Sequence, residues 1–198
     1  MLKFFIKAIT RILSTNLFSK LLFGVDCSKG DVKCQIGFST ILMKKALKKH
    51  VKSRDKVLDI GTGAFAIHGI WLKKNIGAGV VATEIDRRYI ESARKVMKDN
   101  KVNFRVIKSD LFRSVRGKFN WAIFNPPFRN EKDLNGYRIV ERLLKEAPRG
   151  LRLMIVVNAF YVNHKKIRGI IKDNSYRIID AVTGFLNPSK VYVVEKTL

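Results

Sequence analysis

Beyond Gly30 the chain alternates short runs of apolar and β-branched residues with longer stretches whose apolar positions recur every three or four residues. A parallel sheet covered by helices has this pattern, because each buried strand must be followed by a helix that returns the chain across the sheet. The pattern predicts helix 40–50, strand 56–60, helix 65–74, strand 80–83, helix 88–99, strand 103–107 and strand 119–124. It continues through helix 136–147, strand 151–157, helix 164–173 and two last strands, 176–182 and 191–194. Only a short connection through Gly184, Asn187 and Pro188 joins those two. A parallel crossover needs a dozen or more residues, so this pair is expected to be antiparallel. The predicted fold is α/β, a doubly wound seven-stranded sheet that is mostly parallel with the last strand antiparallel, and helices on both faces.

Ahead of this pattern, Leu2, Phe5, Ile6, Ile9, Ile12, Leu13 and Leu17 recur at helical spacing, with Lys3, Lys7, Arg11 and Ser14 on the other side. The segment reads as a basic amphipathic helix. Packing against the body is the commonest use of such a face; RNA or a membrane surface are the alternatives. Lys7 and Arg11 interrupt any signal-peptide core, no small-residue cleavage site follows, and no run reaches transmembrane length. With 198 residues, 46% of them hydrophobic, the chain can bury one substantial core. One domain over 24–198, preceded by a helical extension over 1–23, is the expected organisation.

Charge adds a partner to this picture. Forty Lys and Arg against 16 Asp and Glu leave a net +24. Such an excess attracts a polyanion, nucleic acid ahead of an anionic membrane surface. Lys44, Lys45, Lys48, Lys49 and Lys52 form its densest stretch. Cys27 and Cys34 are too few for a disulfide framework or a zinc site, so no metal is expected and a reducing cytoplasm fits best. His50, His68 and His164 show neither metal-ligand nor triad spacing, although His68 lies just past a glycine turn.

That turn carries the first half of the candidate chemistry. Strand 56–60 runs into Gly61-Thr62-Gly63, whose glycines let the backbone turn tightly and approach a ligand. Glu84 ends the second strand about 20 residues on, where nucleotide-binding folds hold ribose hydroxyls with a carboxylate. Asp110 ends the third strand, and Asp86 reads as the N-cap of the next helix. Asp59 occupies the position where a dinucleotide would carry pyrophosphate. A carboxylate repels phosphate and suits an ammonium with a sulfonium, which points to S-adenosylmethionine as the cofactor. In open parallel sheets ligands gather at the carboxyl ends of strands, where Asp59, Glu84, Asp110 and Asn125 all fall.

The second half is Asn125-Pro126-Pro127-Phe128, directly after strand 119–124. An amino group on a base or carboxamide is planar, with its lone pair delocalised, and attacks a methyl carbon poorly. The Asn125 side-chain oxygen and the Pro126 carbonyl can each accept one N–H, favouring the pyramidal, nucleophilic nitrogen as positive charge develops. Pro127 stiffens the loop, and Phe128 offers a ring for a flipped base or flat amide. No general base is needed, since the methylated nitrogen becomes acidic enough to lose its proton to water. Arg113, Arg129 and Lys132 are the candidate phosphate contacts at this mouth.

On these motifs the chain resembles the class I S-adenosylmethionine-dependent methyltransferases with a Rossmann-like sheet, in particular the Asn-Pro-Pro-Phe group called the methyltransferase small domain. Residues 24–37, with Gly24-Val25-Asp26-Cys27-Ser28, are similar to that group's lead-in. Residues 153–160 and Lys190-Val191-Tyr192 are similar to its ribosomal RNA guanine-N2 enzymes. The resemblance implies Asp59, Gly61, Thr62 and Gly63 around the donor's methionine part, Glu84 on the ribose, Asp110 at the adenine and Asn125 to Phe128 at the target amine. It also implies a ribosomal RNA partner, free or in a particle. Those enzymes usually carry a second, degenerate domain ahead of the catalytic one, and often a His where this chain has Arg129; the basic 1–23 helix is a candidate replacement in RNA docking. Adenine-N6 methylation of RNA or DNA, protein glutamine-N5 methylation and an inactive RNA-binding assembly factor are the alternatives.

Overall fold

The computed structural model describes residues 15–32, 36–128, 134–158, 162–184 and 189–197. In chain order these form α1 (Asn16–Phe23), α2 (Phe38–His50), β1 (Lys56–Ile60), α3 (Ile67–Asn75), β2 (Gly79–Glu84), α4 (Arg87–Asp99), β3 (Arg105–Lys108) and β4 (Trp121–Phe124). They continue as α5 (Leu134–Glu146), β5 (Arg152–Asn158), α6 (His164–Asp173), β6 (Tyr176–Thr183) and β7 (Ser189–Lys196). All seven strands join one sheet in the order β3-β2-β1-β4-β5-β7-β6. The pairings among β1 to β5 are parallel, and β7 runs antiparallel to both β5 and β6.

The expected reversal of the last strand is therefore present. Its location is new: β7 inserts between β5 and β6 instead of adding at the edge. The 183–189 connection is short enough to keep β6 and β7 adjacent, while β7's Val191, Val193 and Val194, all buried, make it an interior strand.

Alternation along the strands divides the core. Val57, Ala82, Ile123, Met154 and Val156 face one side, with α2, α3, α4 and Phe23 of α1. Leu58, Ile60, Ala122, Phe124 and Ile155 face the other, with α5 and α6. Thus each central strand is apolar on both faces, as a sheet covered on both sides requires. Helix α2 lies across β5, β7 and β6 and is tied to β6 by Lys49 and His50, which meet Asp180 Oδ2 at 2.7 and 2.6 Å.

Several element boundaries shift by one or two residues, and two of the shifts have a visible local cause. Helix α3 begins at Ile67 and not at residue 65, because Ala66 takes a left-handed conformation (φ 45°) that ends the glycine turn. Strand β4 begins at Trp121 and not at residue 119. Asn120 instead locks the start of β1, its side-chain oxygen accepting from Lys56 N at 2.7 Å and its backbone N–H donating to Lys56 O.

Of the N-terminal extension, residues 15–23 pack on the body. Thr15 caps α1, Phe23 enters the core, Ser19 Oγ meets Cys27 Sγ at 3.1 Å and Lys44 Nζ donates to Leu22 O. Leu17 and Leu21 stay exposed on α1. The expected helical extension over 1–23 is helical only from Asn16 among the described residues, because Thr15 is extended (φ −120°, ψ 156°) as the N-cap of α1; residues 1–14, Cys34, Asn187 and Pro188 lie outside the described residues. Among the described residues no helix is long and apolar enough to cross a membrane.

Candidate active site

Strands β1 and β4 are neighbours in the sheet, and Ile60 pairs with Phe124 in register. Adjacent strands lie about 4.8 Å apart. Both chains therefore leave the sheet at the same level, which sets the Gly61 turn beside Asn125. Between them lies a cavity of about 220 Å³ whose walls include Asp59, Gly61, Gly63, His68, Tyr89 and Asn125.

The turn is built for close approach. Gly61 and Gly63 have φ of +62° and +68°, a region an L side chain resists, and no atom lies within 4 Å of a Cβ built on Gly63. The turn is held from the next strand: Thr62 N donates to Thr83 O at 2.9 Å, and Gly63 N donates to Glu84 Oε2 at 3.0 Å. The other oxygen of Glu84 accepts from Ile85 N (2.7 Å) and Asp86 N (3.2 Å). Three of a carboxylate's roughly four acceptor positions are thus filled by backbone, leaving about one for a ligand hydroxyl.

Asp59 is 4% exposed, and its Oδ2 accepts from the Thr62 hydroxyl at 2.6 Å. No ion pair reaches it among the described residues. Burial pushes its pKa up to about 7, the Thr62 bond opposing and the nearby Glu84 charge adding to the rise. A buried carboxylate with no protein cation at an open cavity fits a positively charged ligand, and the Cβ-free turn beside it fits close backbone contact.

Asn125 is exposed at the cavity mouth, with Nδ2 3.5 Å from Ser39 Oγ. No donor among the described residues reaches its Oδ1. Pro126 O already accepts from Phe128 N at 2.9 Å, closing a tight turn and leaving one lone pair of that carbonyl. Phe128 is half-buried. Its ring meets Tyr137 edge-on at 5.3 Å and rests on Gly136, where a Cβ would come within 2.3 Å of it.

Other expected residues fall further away. Asp110 pairs with Arg142 of α5 at 2.9 Å, and Arg113 lies in the turn that follows β3, the strand three places from β4 in the sheet. Arg129 and Lys132 lie outside the described residues. His68, for which the sequence shows neither metal-ligand nor triad spacing, lines the cavity. It is half-buried, its Nε2 lies 3.1 Å from Thr40 O, and desolvation lowers its pKa to about 4. Asp86 caps α4 through Arg88 N, and His164 Nδ1 meets Tyr192 O–H at 3.0 Å.

Sequence reasoning missed Ser39 and Thr40, which bring the start of α2 to the cavity, and Tyr89. It also missed Ile85, 62% exposed between Glu84 and Asp86. An isoleucine between two acids at a strand end was a readable signal; the approach of α2 was not. Among the described residues no cluster of His, Cys, Asp and Glu could hold a metal.

A family model described as the methyltransferase small domain matches residues 33–185. The chain belongs to this family. It is 36% identical over 148 residues to the ribosomal RNA small subunit methyltransferase C of Haemophilus influenzae strain PittGG, covering 73% of this chain and 43% of that protein. It is also 36% identical over 130 residues to the protein of the same name from Mannheimia succiniciproducens, covering 64% of this chain and 38% of that one. This methyltransferase small domain thus spans about two fifths of the length of these relatives. Its fold superimposes on a crystal structure of a methyltransferase from Pyrococcus furiosus with a TM-score of 0.71 at 22% identity, covering 95% of this chain and 96% of that one.

Proposed function

We propose that this chain is an S-adenosylmethionine-dependent methyltransferase acting on a planar exocyclic amine, guanine N2 in ribosomal RNA. The observation that carries the reading is the Asn125 Oδ1, unsatisfied among the described residues, at the mouth of a cavity whose floor is an uncompensated buried carboxylate. When bound, S-adenosylmethionine supplies an electrophilic methyl group on a sulfonium. Asp59, with the Gly61–Gly63 turn, holds the cationic methionine portion. Glu84 offers its remaining acceptor position to a ribose hydroxyl, and Ile85 gives an apolar shelf for the adenine. Asp110, whose carboxylate pairs with Arg142, is the residue proposed for the adenine.

Asn125 Oδ1 and the free lone pair of Pro126 O accept the two N–H groups of the target amine. As the nitrogen attacks, positive charge grows on it, and these two oxygens stabilise that charge more than they stabilise the neutral amine. Pro126 and Pro127 restrict the loop so that both acceptors are oriented before the substrate arrives. The proton leaves to water after methylation, so no side chain is assigned as base. Phe128 flanks the base, and Arg129 and Lys132 remain proposed phosphate contacts, Arg113 lying away from this mouth. A ribosomal RNA substrate also makes the cytoplasm the proposed location.

The names of the relatives support ribosomal RNA as the substrate class, and the +24 charge supports a polyanion. The test is incubation of the purified chain with tritiated S-adenosylmethionine, total RNA and total protein. Label in RNA, and none in protein, is the expected result. Label in protein alone contradicts the reading, and saturable donor binding with no transfer to either identifies an inactive binding protein.

A further inference from the structure

Among the described residues, a group of exposed cations connects to the Asn125–Phe128 loop. From Phe128 the contacts pass to Tyr137, whose hydroxyl accepts from Asn163 N at 2.8 Å and whose ring centre lies 4.1 Å from Lys166 Nζ. Asn163 caps α6, whose first turn contains no acid and whose exposed face carries Lys165, Lys166 and Arg168. His164, at the start of α6, reaches Tyr192 of β7, two residues beyond exposed Lys190. Burial first, and the Lys190 charge second, hold His164 below its ordinary pKa.

None of these four cations has a carboxylate partner among the described residues. On α4 and α5 several cations, Arg87, Arg88, Arg142 and Lys145, do pair with an acid, while Lys98 and Arg138 do not among the described residues. Cations without an acid partner at the start of α6, reaching the reactive loop through Tyr137, have the charge to meet phosphates. Such contacts orient a strand without reading its sequence.

We propose that the exposed start of α6 (Lys165, Lys166, Arg168), together with Lys190 of β7, binds the phosphate backbone of the RNA strand that delivers the target base to Asn125. This rests on the RNA methyltransferase reading above. The unopposed N-terminus of α6 adds its partial positive charge to the same patch.

The test measures binding of the full chain to a short fluorescein-labelled single-stranded RNA across a salt series. Each phosphate contact contributes about 0.7 to the slope of log affinity against log salt for single strands. A Lys165→Ala/Lys166→Ala/Arg168→Ala variant is expected to lower that slope by about 2 and to bind at least about tenfold more weakly at low salt, with donor affinity unchanged by calorimetry. A control that removes the exposed cations Lys98, Lys101 and Arg105, on the far side of the sheet order, is expected to keep the wild-type slope. Should the helix variant lose donor affinity, Lys190→Gln on a separate element carries the same test, with a fall of about 0.7. An unchanged slope in these variants, or an equal fall in the control, overturns the docking surface while leaving RNA methylation standing. No RNA binding and no RNA methylation by the wild-type chain overturn both.

Discussion

Asn125 and Asp59 divide the proposed chemistry between them, one facing the acceptor and the other the donor. Asn125→Ala removes a preorganised acceptor that gains strength only as charge develops, so turnover should fall by about 100-fold or more while donor affinity stays as it was. Calorimetry beside single-turnover methylation separates the two; an equal loss of donor affinity would move Asn125 into the cofactor site. Asp59 makes a prediction in pH. Its carboxyl ionises near pH 7 in the fold and near 3.8 when free, so between those values the folded state holds a proton that the unfolded chain has lost. Its contribution to stability is therefore full below about pH 4 and declines as pH rises through 7. A cationic donor reverses the balance by favouring the ionised form and expelling the proton. Donor affinity should rise about tenfold per pH unit up to about 7 and then level off, with Asp59→Asn weaker and flat across the range. Calorimetry in buffers of differing ionisation enthalpy reads the released proton directly. Both residues were legible in the sequence, because strand-end acids and an Asn-Pro-Pro turn are local signals.

At the scale of elements, the relation of the Asn125–Phe128 loop to α5 was not legible. Phe128 was expected as a free ring face, yet its ring is seated on Gly136 and against Tyr137, a contact fixed by how α5 crosses the sheet and not by neighbours in the chain. A methyl group at Gly136 would lie 2.3 Å from the ring. Gly136→Ala should therefore displace Phe128, raising KM for RNA with donor affinity unchanged. It should also cost about 1 kcal/mol of stability, because the half-buried ring can partly yield. For a chain of this size that is a fall in Tm of about 2–4 °C, readable by thermal melting. An unchanged KM would assign Phe128 to packing alone. The order of strands was equally hidden: alternating patterns identify strands and predict that β6 and β7 pair, but do not tell that β7 enters the interior of the sheet.

Over the whole molecule, 40 cations against 16 acids cannot be neutralised internally, and the ion pairs present occupy acids that lie largely away from α6. Composition revealed the excess; only the fold reveals that part of it borders the reactive loop. The chain spans about two fifths of the length of its named relatives, so the proposed activity of the part described here has to be measured on this chain itself. The most direct measurement is mass spectrometry of nucleosides after incubation with purified small-subunit ribosomal RNA and S-adenosylmethionine. The account predicts N2-methylguanosine, absent with Asn125→Ala. N6-methyladenosine would contradict guanine as the target, and a donor-bound chain that leaves every nucleoside unmodified would contradict the site's proposed chemistry on RNA altogether.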